Sequence, residues 1–313
     1  MGYTLCVLGC GTMGVAIISG VLASLQARPH FHPHPVHVKW ESHTPGTLTP
    51  RDLEDEALPS RFIACVSREE SVKKLAAVWP ASDALALGVE VRKAQNVSAV
   101  QESNVVLLCC KPQLAHTILN EPGMKEALDG KLLISILAGV TISQITAWVL
   151  PSTKVIRAMP NTPCRIREGM TVVSNLPPSP SLELDHTIIT NIFSSIGRCR
   201  FLDEKHFDAC TALSGSGPAF ACIFLEAMAD GGVMMGLPRA EALELAAQTL
   251  QGTARMTLQG NTHPAQLKDA VTTPGGCTIA GLLAMEDGRV RSTIARAIQV
   301  ATEKARELGQ PSK

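Results

Sequence analysis

Two short stretches carry the residue types that could do chemistry. Near the C-terminus, Thr272-Thr273-Pro274-Gly275-Gly276-Cys277-Thr278 places a Pro-Gly-Gly turn among three threonines, ahead of a helical pattern starting near Thr278. Glycines let the backbone approach a ligand closely, and the N–H groups that open a helix attract a carboxylate. Far upstream, Gly9-Cys10-Gly11-Thr12-Met13-Gly14 follows the strand-like run Tyr3–Leu8 and opens another helix. There the first glycine permits a tight turn, the second leaves room for a pyrophosphate, and the third lets helix pack on strand. One nucleotide cradle and one small-anion cradle in a single chain imply reduction of a small carboxylated molecule.

The end of the second expected strand, Phe62–Val66, bears on the nicotinamide cofactor. An NAD site places a carboxylate there for the ribose 2′-hydroxyl, whereas this chain has Ser67-Arg68. A hydroxyl and a guanidinium fork suit a 2′-phosphate, so NADPH is expected, with NADH as the alternative. Asn96 lies just past the third strand, Gly88–Val91, within reach of the adenine ribose. Lys111-Pro112 follows the apolar run Val105–Cys110, at the carboxyl edge where open α/β sheets bind ligands. Lys111 either serves the cofactor or only lines the crevice. Ala138-Gly139, after the strand Leu132–Ile136, admits a nicotinamide ring. Asn161 and Thr162, in Arg157-Ala-Met-Pro-Asn-Thr-Pro163, either face the crevice or build a turn. Leu213-Ser-Gly-Ser-Gly-Pro218 either holds an anion or permits tight helix crossing. No histidine–carboxylate pair or activated nucleophile accompanies these residues. Hydride transfer to a protonated imine needs orientation more than a strong base, so the absence is consistent.

The elements that must position these residues alternate through the first two-thirds of the chain. Strands are expected at Tyr3–Leu8, Phe62–Val66, Gly88–Val91, Val105–Cys110, Leu132–Ile136, Lys154–Ala158, Met170–Ser174 and Arg198–Leu202. Helical patterns intervene, including Met13–Leu25, Glu69–Val78, Ile142–Val149 and Leu184–Ser195. This rhythm predicts a Rossmann-type α/β domain with a parallel, doubly wound sheet over residues 1–203. Residues 204–313 read as all-helical, the substrate-binding and dimerisation domain. Their first helix, from Gly217 to Met235, is apolar on most faces and needs burial on more than one side, which implies a homodimer. Residues Gln26–Arg61 hold six prolines and five histidines without periodicity and read as an inserted loop. His30, His32, His34 and His37 there lack a completing carboxylate or cysteine cluster, so no metal is expected.

Composition excludes other classes. The 313 residues carry zero net charge, 18% charged and 4% aromatic residues, which gives no case for binding nucleic acid or an anionic membrane. Ten cysteines without a C-x-x-C pair read as reduced thiols of a cytoplasmic protein. The first strand begins at Tyr3, leaving no room for a leader ahead of the fold. The longest apolar stretch, Ala219–Leu237, is interrupted by Glu226 and Asp230, so no membrane span is expected.

Five motifs occur here in one order: Gly9-x-Gly-x-Met-Gly14, Lys111-Pro112, Met159-Pro-Asn-Thr-Pro163, Leu213-Ser-Gly-Ser-Gly-Pro218 and His263-Pro-x-x-Leu-Lys-Asp-x-Val-x-x-Pro-Gly-Gly276. Together they resemble the pyrroline-5-carboxylate reductase family over nearly the whole chain. The resemblance implies NAD(P)H-dependent reduction of 1-pyrroline-5-carboxylate to L-proline by a Rossmann domain and a helical domain that interleaves in a dimer, with higher assemblies in many members. Carried over, Gly9 to Gly14, Ser67, Arg68, Asn96 and Lys111 hold the cofactor. The Thr272–Thr278 loop holds the substrate carboxylate through backbone N–H groups, and the catalytic Thr278 hydroxyl meets the ring nitrogen. Two departures are the long Gln26–Arg61 insertion and Cys277, where the family more often has Thr or Ala. The latter leaves open a substituted pyrroline as substrate. A β-hydroxyacid dehydrogenase needs a Lys on the helix after Gly217, and Gly217-Pro-Ala-Phe-Ala-Cys-Ile-Phe224 has none. A non-catalytic NADPH sensor leaves the second cradle without purpose.

Overall fold

In the computed structural model the described residues are 2–27, 56–80, 88–260 and 262–308. The four histidines at positions 30 to 37 lie outside them. The chain divides into two compact units, Met1–Cys210 with Ala305–Lys313, and Thr211–Lys304.

The first unit is built on eight strands: β1 (Tyr3–Leu8), β2 (Pro59–Val66), β3 (Val89–Lys93), β4 (Val105–Leu108), β5 (Leu132–Ser135), β6 (Lys154–Met159), β7 (Gly169–Ser174) and β8 (Gly197–Leu202). They form one sheet in the order β3-β2-β1-β4-β5-β6-β7-β8. The helices interspersed among them include α1 (Thr12–Gln26), α2 (Glu69–Val78), α3 (Asn96–Gln101), α4 (Ala115–Leu119), α5 (Ile142–Thr146) and α6 (Leu182–Ser194). Alternation along β1 separates two cores. Leu5 and Val7 pack with Ile17, Ile18 and Val21 of α1 and Ile188 and Ile192 of α6. Cys6 and Leu8 pack with Ala99 and Val100 of α3 and Ala115 and Leu119 of α4. Both faces are covered, which explains why these strands read as nearly unbroken apolar runs.

β1 pairs in parallel with β2 on one side and β4 on the other, so the chain reverses its winding at the end of β1. Ligands of open α/β sheets bind at such a switch point.

Three expectations are corrected. The sheet is not wholly parallel: β7 runs antiparallel to β6, and β8 runs parallel to β7. A parallel pair needs a crossover of about a dozen residues or more, whereas residues 160–168 hold only a 3-10 turn at Thr162–Ile166. β2 starts at Pro59, inside the expected insertion, with Arg61 opposite Thr4. Proline is tolerated at the first residue of a strand. β4 ends at Leu108, before Cys109 and Cys110.

The segment after β8 is latched onto this unit. Glu204 Oε1 accepts the Ile142 N–H at 2.9 Å and pairs with Arg157 Nη1 at 3.3 Å. The buried Arg157 guanidinium lies 4.8 Å from the Phe207 ring centroid.

The second unit comprises α7 (Gly217–Met234), α8 (Arg239–Gly260), α9 (Pro264–Ala270), α10 (Cys277–Asp287) and most of α11 (Val290–Leu308). α7 and α8 touch through small residues: a Cβ on Gly232 would stand 3.2 Å from the Ala242 Cβ. Ala229, Ala242 and Ala246 are buried, yet Ile223 is 66% and Met234 81% exposed. The helical run Glu204–Met234, with a window of mean hydropathy 1.3, is long and apolar enough to cross a membrane by length and composition.

Candidate functional site

The turn after β1 is tied to its neighbours by backbone bonds. Gly9 and Cys10 N–H both donate to the Cys65 carbonyl, at 3.1 and 2.8 Å, and Val15 N–H donates to Gly11 O at 2.9 Å. Gly9 has φ +79, and a Cβ there would stand 2.7 Å from the Cys110 Cα. A Cβ on Gly14 would stand 2.9 Å from Val7 Cγ1, so that glycine sets the helix–strand approach. Gly11 differs: the nearest atom to its Cβ would be Gly9 O at 3.9 Å. The space above Gly11 is open while its two partners are packed, which suits a ligand's phosphate over Gly11 at the start of α1. The residues present therefore fit a dinucleotide.

A cleft of about 460 Å³ opens there, lined by Gly9, Gly11, Ser67, Arg68, Asn96 and Lys111 among others. Six expected cofactor residues are thus brought together. Arg68 is the N-cap of α2, and Asn96 is the first residue of α3. Asn96 Nδ2 donates to Glu121 Oε1 at 2.8 Å. Lys111 caps the 3-10 turn Pro112–Leu114, with Pro112 at its first position, where the missing N–H costs nothing. Cys10 and Cys110 line the same cleft, and burial pushes their thiols up to about 12 and about 11 respectively. They are neutral, apolar wall there.

Leu114, Thr117, Ile118, Glu121 and Ser71 also line this cleft, and the sequence reading does not single them out. The first four recur at helical spacing after Lys111-Pro112, which is the signal that could have found them. Thr12 lines a neighbouring cleft of about 420 Å³. Met13 packs against the core, its Sδ 3.9 Å from Cys164 Sγ, rather than lining either cleft. Ala138 is exposed and Gly139 half-buried, in the turn before α5. Thr141 fixes that turn: its Oγ1 accepts Gln144 N–H at 3.3 Å, and Gln144 Oε1 accepts Thr141 N–H at 2.8 Å. Asn161 Oδ1 accepts the Met170 N–H at 2.8 Å, bridging the β6–β7 reversal. Its carbonyl oxygen serves the turn, the second of the two roles open from sequence.

In the second unit, the Thr272–Thr278 loop joins α9 to α10. Thr272 Oγ1 donates to Lys268 O at 2.7 Å, closing α9. Gly276 N–H donates to Thr273 O at 3.1 Å around Gly275, whose φ is +66. Gly276 is the N-cap of α10 and has no side chain to cap it. Cys277 and Thr278 therefore open the helix, one residue earlier than expected, with first-turn N–H groups available to an anion. Cys277 is exposed and Thr278 half-buried. No group of three or more metal-ligating side chains occurs among the described residues.

Residues 204–308 match a family described as pyrroline-5-carboxylate reductase dimerisation, and residues 48–139 match one described as NADP oxidoreductase, coenzyme F420-dependent. A pyrroline-5-carboxylate reductase of Schizosaccharomyces pombe is 47% identical over 310 residues, covering 97% of this chain and 99% of the relative. One of Neurospora crassa is 42% identical over 332 residues, covering 98% and 93%. Among solved structures, the Plasmodium falciparum enzyme with NADP bound is similar at TM-score 0.73 and 26% identity, covering 98% of each chain. The Coxiella burnetii enzyme is similar at TM-score 0.77 and 25% identity, covering 99% of each. These likenesses span 97–99% of the chain, and on that ground the chain belongs to the pyrroline-5-carboxylate reductase family.

Proposed function

We propose that this chain reduces the C=N bond of 1-pyrroline-5-carboxylate to give L-proline, with NADPH preferred over NADH. The observation that carries the reading is the pair of glycine cradles: an open Gly11 at the winding switch, and an uncapped α10 start behind Pro274-Gly275-Gly276. When bound, the reduced nicotinamide supplies the hydride.

Gly9, Gly11, Thr12, Met13 and Gly14 form the turn under the pyrophosphate. Ser67 and Arg68 face the 2′-phosphate, Asn96 the adenine ribose, and Lys111 and Pro112 the crevice wall. Ala138, Gly139 and Asn161 lie toward the nicotinamide end. In the second unit, Thr272, Thr273, Gly275, Gly276 and Cys277 shape the loop whose backbone N–H groups hold the substrate carboxylate. The Thr278 hydroxyl bonds the ring nitrogen, which carries a proton while the adjacent carbon accepts hydride. An iminium of that kind is electrophilic already, so orientation does most of the catalysis.

The exposed apolar residues of α7 meet their counterparts in a homodimer, with assembly of dimers beyond it. The dimerisation description of residues 204–308 supports the first step. The same contact gives the apolar run Glu204–Met234 a destination other than a membrane, in keeping with a cytoplasmic enzyme. Incubating purified protein with NADPH and 1-pyrroline-5-carboxylate tests the reading. Proline accumulating in step with NADPH loss is expected; NADPH binding without proline overturns it.

A further inference from the structure

The 460 Å³ cleft over Gly11 has a single carboxylate among its lining residues, Glu121. An anion is out of place where a pyrophosphate is to lie, since like charges repel. Among the described residues Glu121 makes no ion pair; its Oε1 accepts an Asn96 Nδ2 hydrogen at 2.8 Å. Both side chains are half-buried. The backbone around this bond is held from both sides. On the Asn96 side, Ala94 takes φ +53, a left-handed conformation that residues other than glycine rarely adopt. Its N–H donates to the Val66 carbonyl at 3.0 Å, which anchors the turn to the end of β2. On the Glu121 side, Glu121 N–H donates to Ile118 O at 3.3 Å and Met124 N–H to Glu121 O at 2.9 Å. Gly123 turns between them at φ +84. A Cβ there would stand 3.5 Å from Val97 Cγ1, so this loop lies against the first turn of α3. At the far end of α3, Lys131 Nζ donates to Gln101 O at 2.9 Å. Strained backbone persists where its surroundings over-determine it, and such places cluster at ligand sites.

We infer that Glu121 is a positioning residue for the dinucleotide, fixing which end of the Asn96 amide meets the adenine ribose. The inference rests on the dinucleotide reading above. An ionised carboxylate only accepts, so the amide must turn its nitrogen toward Glu121. Its Oδ1, which has no partner among the described residues, is then the end open to a ligand. That oxygen is an acceptor, so the group it takes is a hydroxyl donor. In NADP+ the 2′-oxygen is esterified, and the 3′-hydroxyl is the adenosine donor that NADP+ and NAD+ share. Glu121 therefore favours both dinucleotides through the ribose and has no part in choosing between them. Without Glu121 the amide is free to turn over, and the ligand must freeze it on binding.

Titration calorimetry on the intact protein tests this, using NADP+, NAD+ and an NAD+ analogue that lacks the adenosine 3′-hydroxyl. A wild type that binds neither natural dinucleotide would overturn the dinucleotide reading itself, whatever the variants do. Glu121→Ala should weaken NADP+ and NAD+ alike, about three- to tenfold. Glu121→Gln should keep most of the affinity, because its carbonyl oxygen still accepts from Asn96. Asn96→Ala should weaken both dinucleotides at least as much as Glu121→Ala. Adding Glu121→Ala to it should bring no further loss, since Glu121 acts only through Asn96. The 3′-deoxy analogue should bind the wild type more weakly than NAD+ does. That gap should close in Asn96→Ala and narrow in Glu121→Ala. Losses that add in the double variant would mean that Glu121 acts by another route, and the positioning role would fall. It would fall too if Glu121→Ala bound both dinucleotides like wild type, or if Glu121→Gln bound no better than Glu121→Ala. An effect confined to NADP+ would put Glu121 at the phosphate instead, and an analogue gap unchanged in Asn96→Ala would take the 3′-hydroxyl away from Asn96; either result overturns the assignment.

Discussion

Replacing Thr278 by alanine removes one hydroxyl but leaves the start of α10 intact, so its effect isolates the bond to the substrate nitrogen. We expect Thr278→Ala to lower kcat/KM by about one to two powers of ten, equivalent to roughly 1–3 kcal/mol, with NADPH affinity unchanged. The loss should fall on kcat if the bond matters mainly in the transition state. Steady-state kinetics equal to wild type would take Thr278 out of the mechanism. Gly276→Val should do more damage, for a reason visible only in the structure: a Cβ there would stand 2.5 Å from Thr273 Oγ1. The new side chain must displace Thr273 and reshape the turn besides crowding the carboxylate. Intact turnover in Gly276→Val would remove the loop as the substrate cradle. A different residue-scale outcome concerns pH. Burial raises the Cys10 and Cys199 thiols from an ordinary 9.0 to about 12 in the folded chain. Their stabilising contribution is complete below pH 9 and is lost as pH rises toward 12, because the unfolded chain ionises first. Urea midpoints should therefore fall from pH 9 upward, and Cys10→Ala with Cys199→Ala should flatten the fall; an unchanged slope would assign it elsewhere. At this scale the glycines were legible because their role needs no neighbour to be known. Ser71 and Glu121 were not, since ordinary polar residues acquire a role only when a helix turns them into a cleft.

The strand–turn–helix unit of β1 and α1 separates folding from binding within one motif. Gly9→Ala forces a side chain into φ +79 and against the Cys110 backbone at 2.7 Å, so it should destabilise by about 2–3 kcal/mol or more. Gly11→Ala meets nothing closer than 3.9 Å and should leave stability within about 0.5 kcal/mol while weakening NADP+ at least tenfold. Denaturant curves and calorimetry on the two variants check this; similar losses of stability in both would show that the Gly11 space is not open. The position of all eight strands could be read from apolar runs bounded by glycine, proline and polar residues. The direction of β7 could not, because composition does not record whether residues 160–168 have room to cross over. The start of β2 was hidden for a related reason. Pro59-Ser60-Arg61 has the composition of a loop, and only its pairing with β1 makes it a strand.

At the scale of the whole molecule, the second unit buries little within one chain, and its apolar surface needs a partner. Ile223→Asp puts a charge on α7 where the side chain is 66% exposed in the single chain. In a dimer that charge would be desolvated, so light scattering should report a smaller particle and thermal unfolding should begin earlier. A dimer of unchanged mass would place the contact on another face. Folding of the first unit meets a further constraint, set by the placement of β1. That strand is made before the other seven of its sheet, yet it pairs with Pro59–Cys65 on one side and with Val105–Leu108 on the other. During synthesis the centre of the sheet therefore waits, one edge bare, until β4 has left the ribosome. Parallel pairings between distant segments form slowly, and bare apolar edges invite other chains. Nascent chains stalled with β4 still inside the exit tunnel should remain open to protease, and chains stalled after β6 has emerged should resist it. The strand that anchors the cofactor loop is thus the one most dependent on protection while the protein is being made.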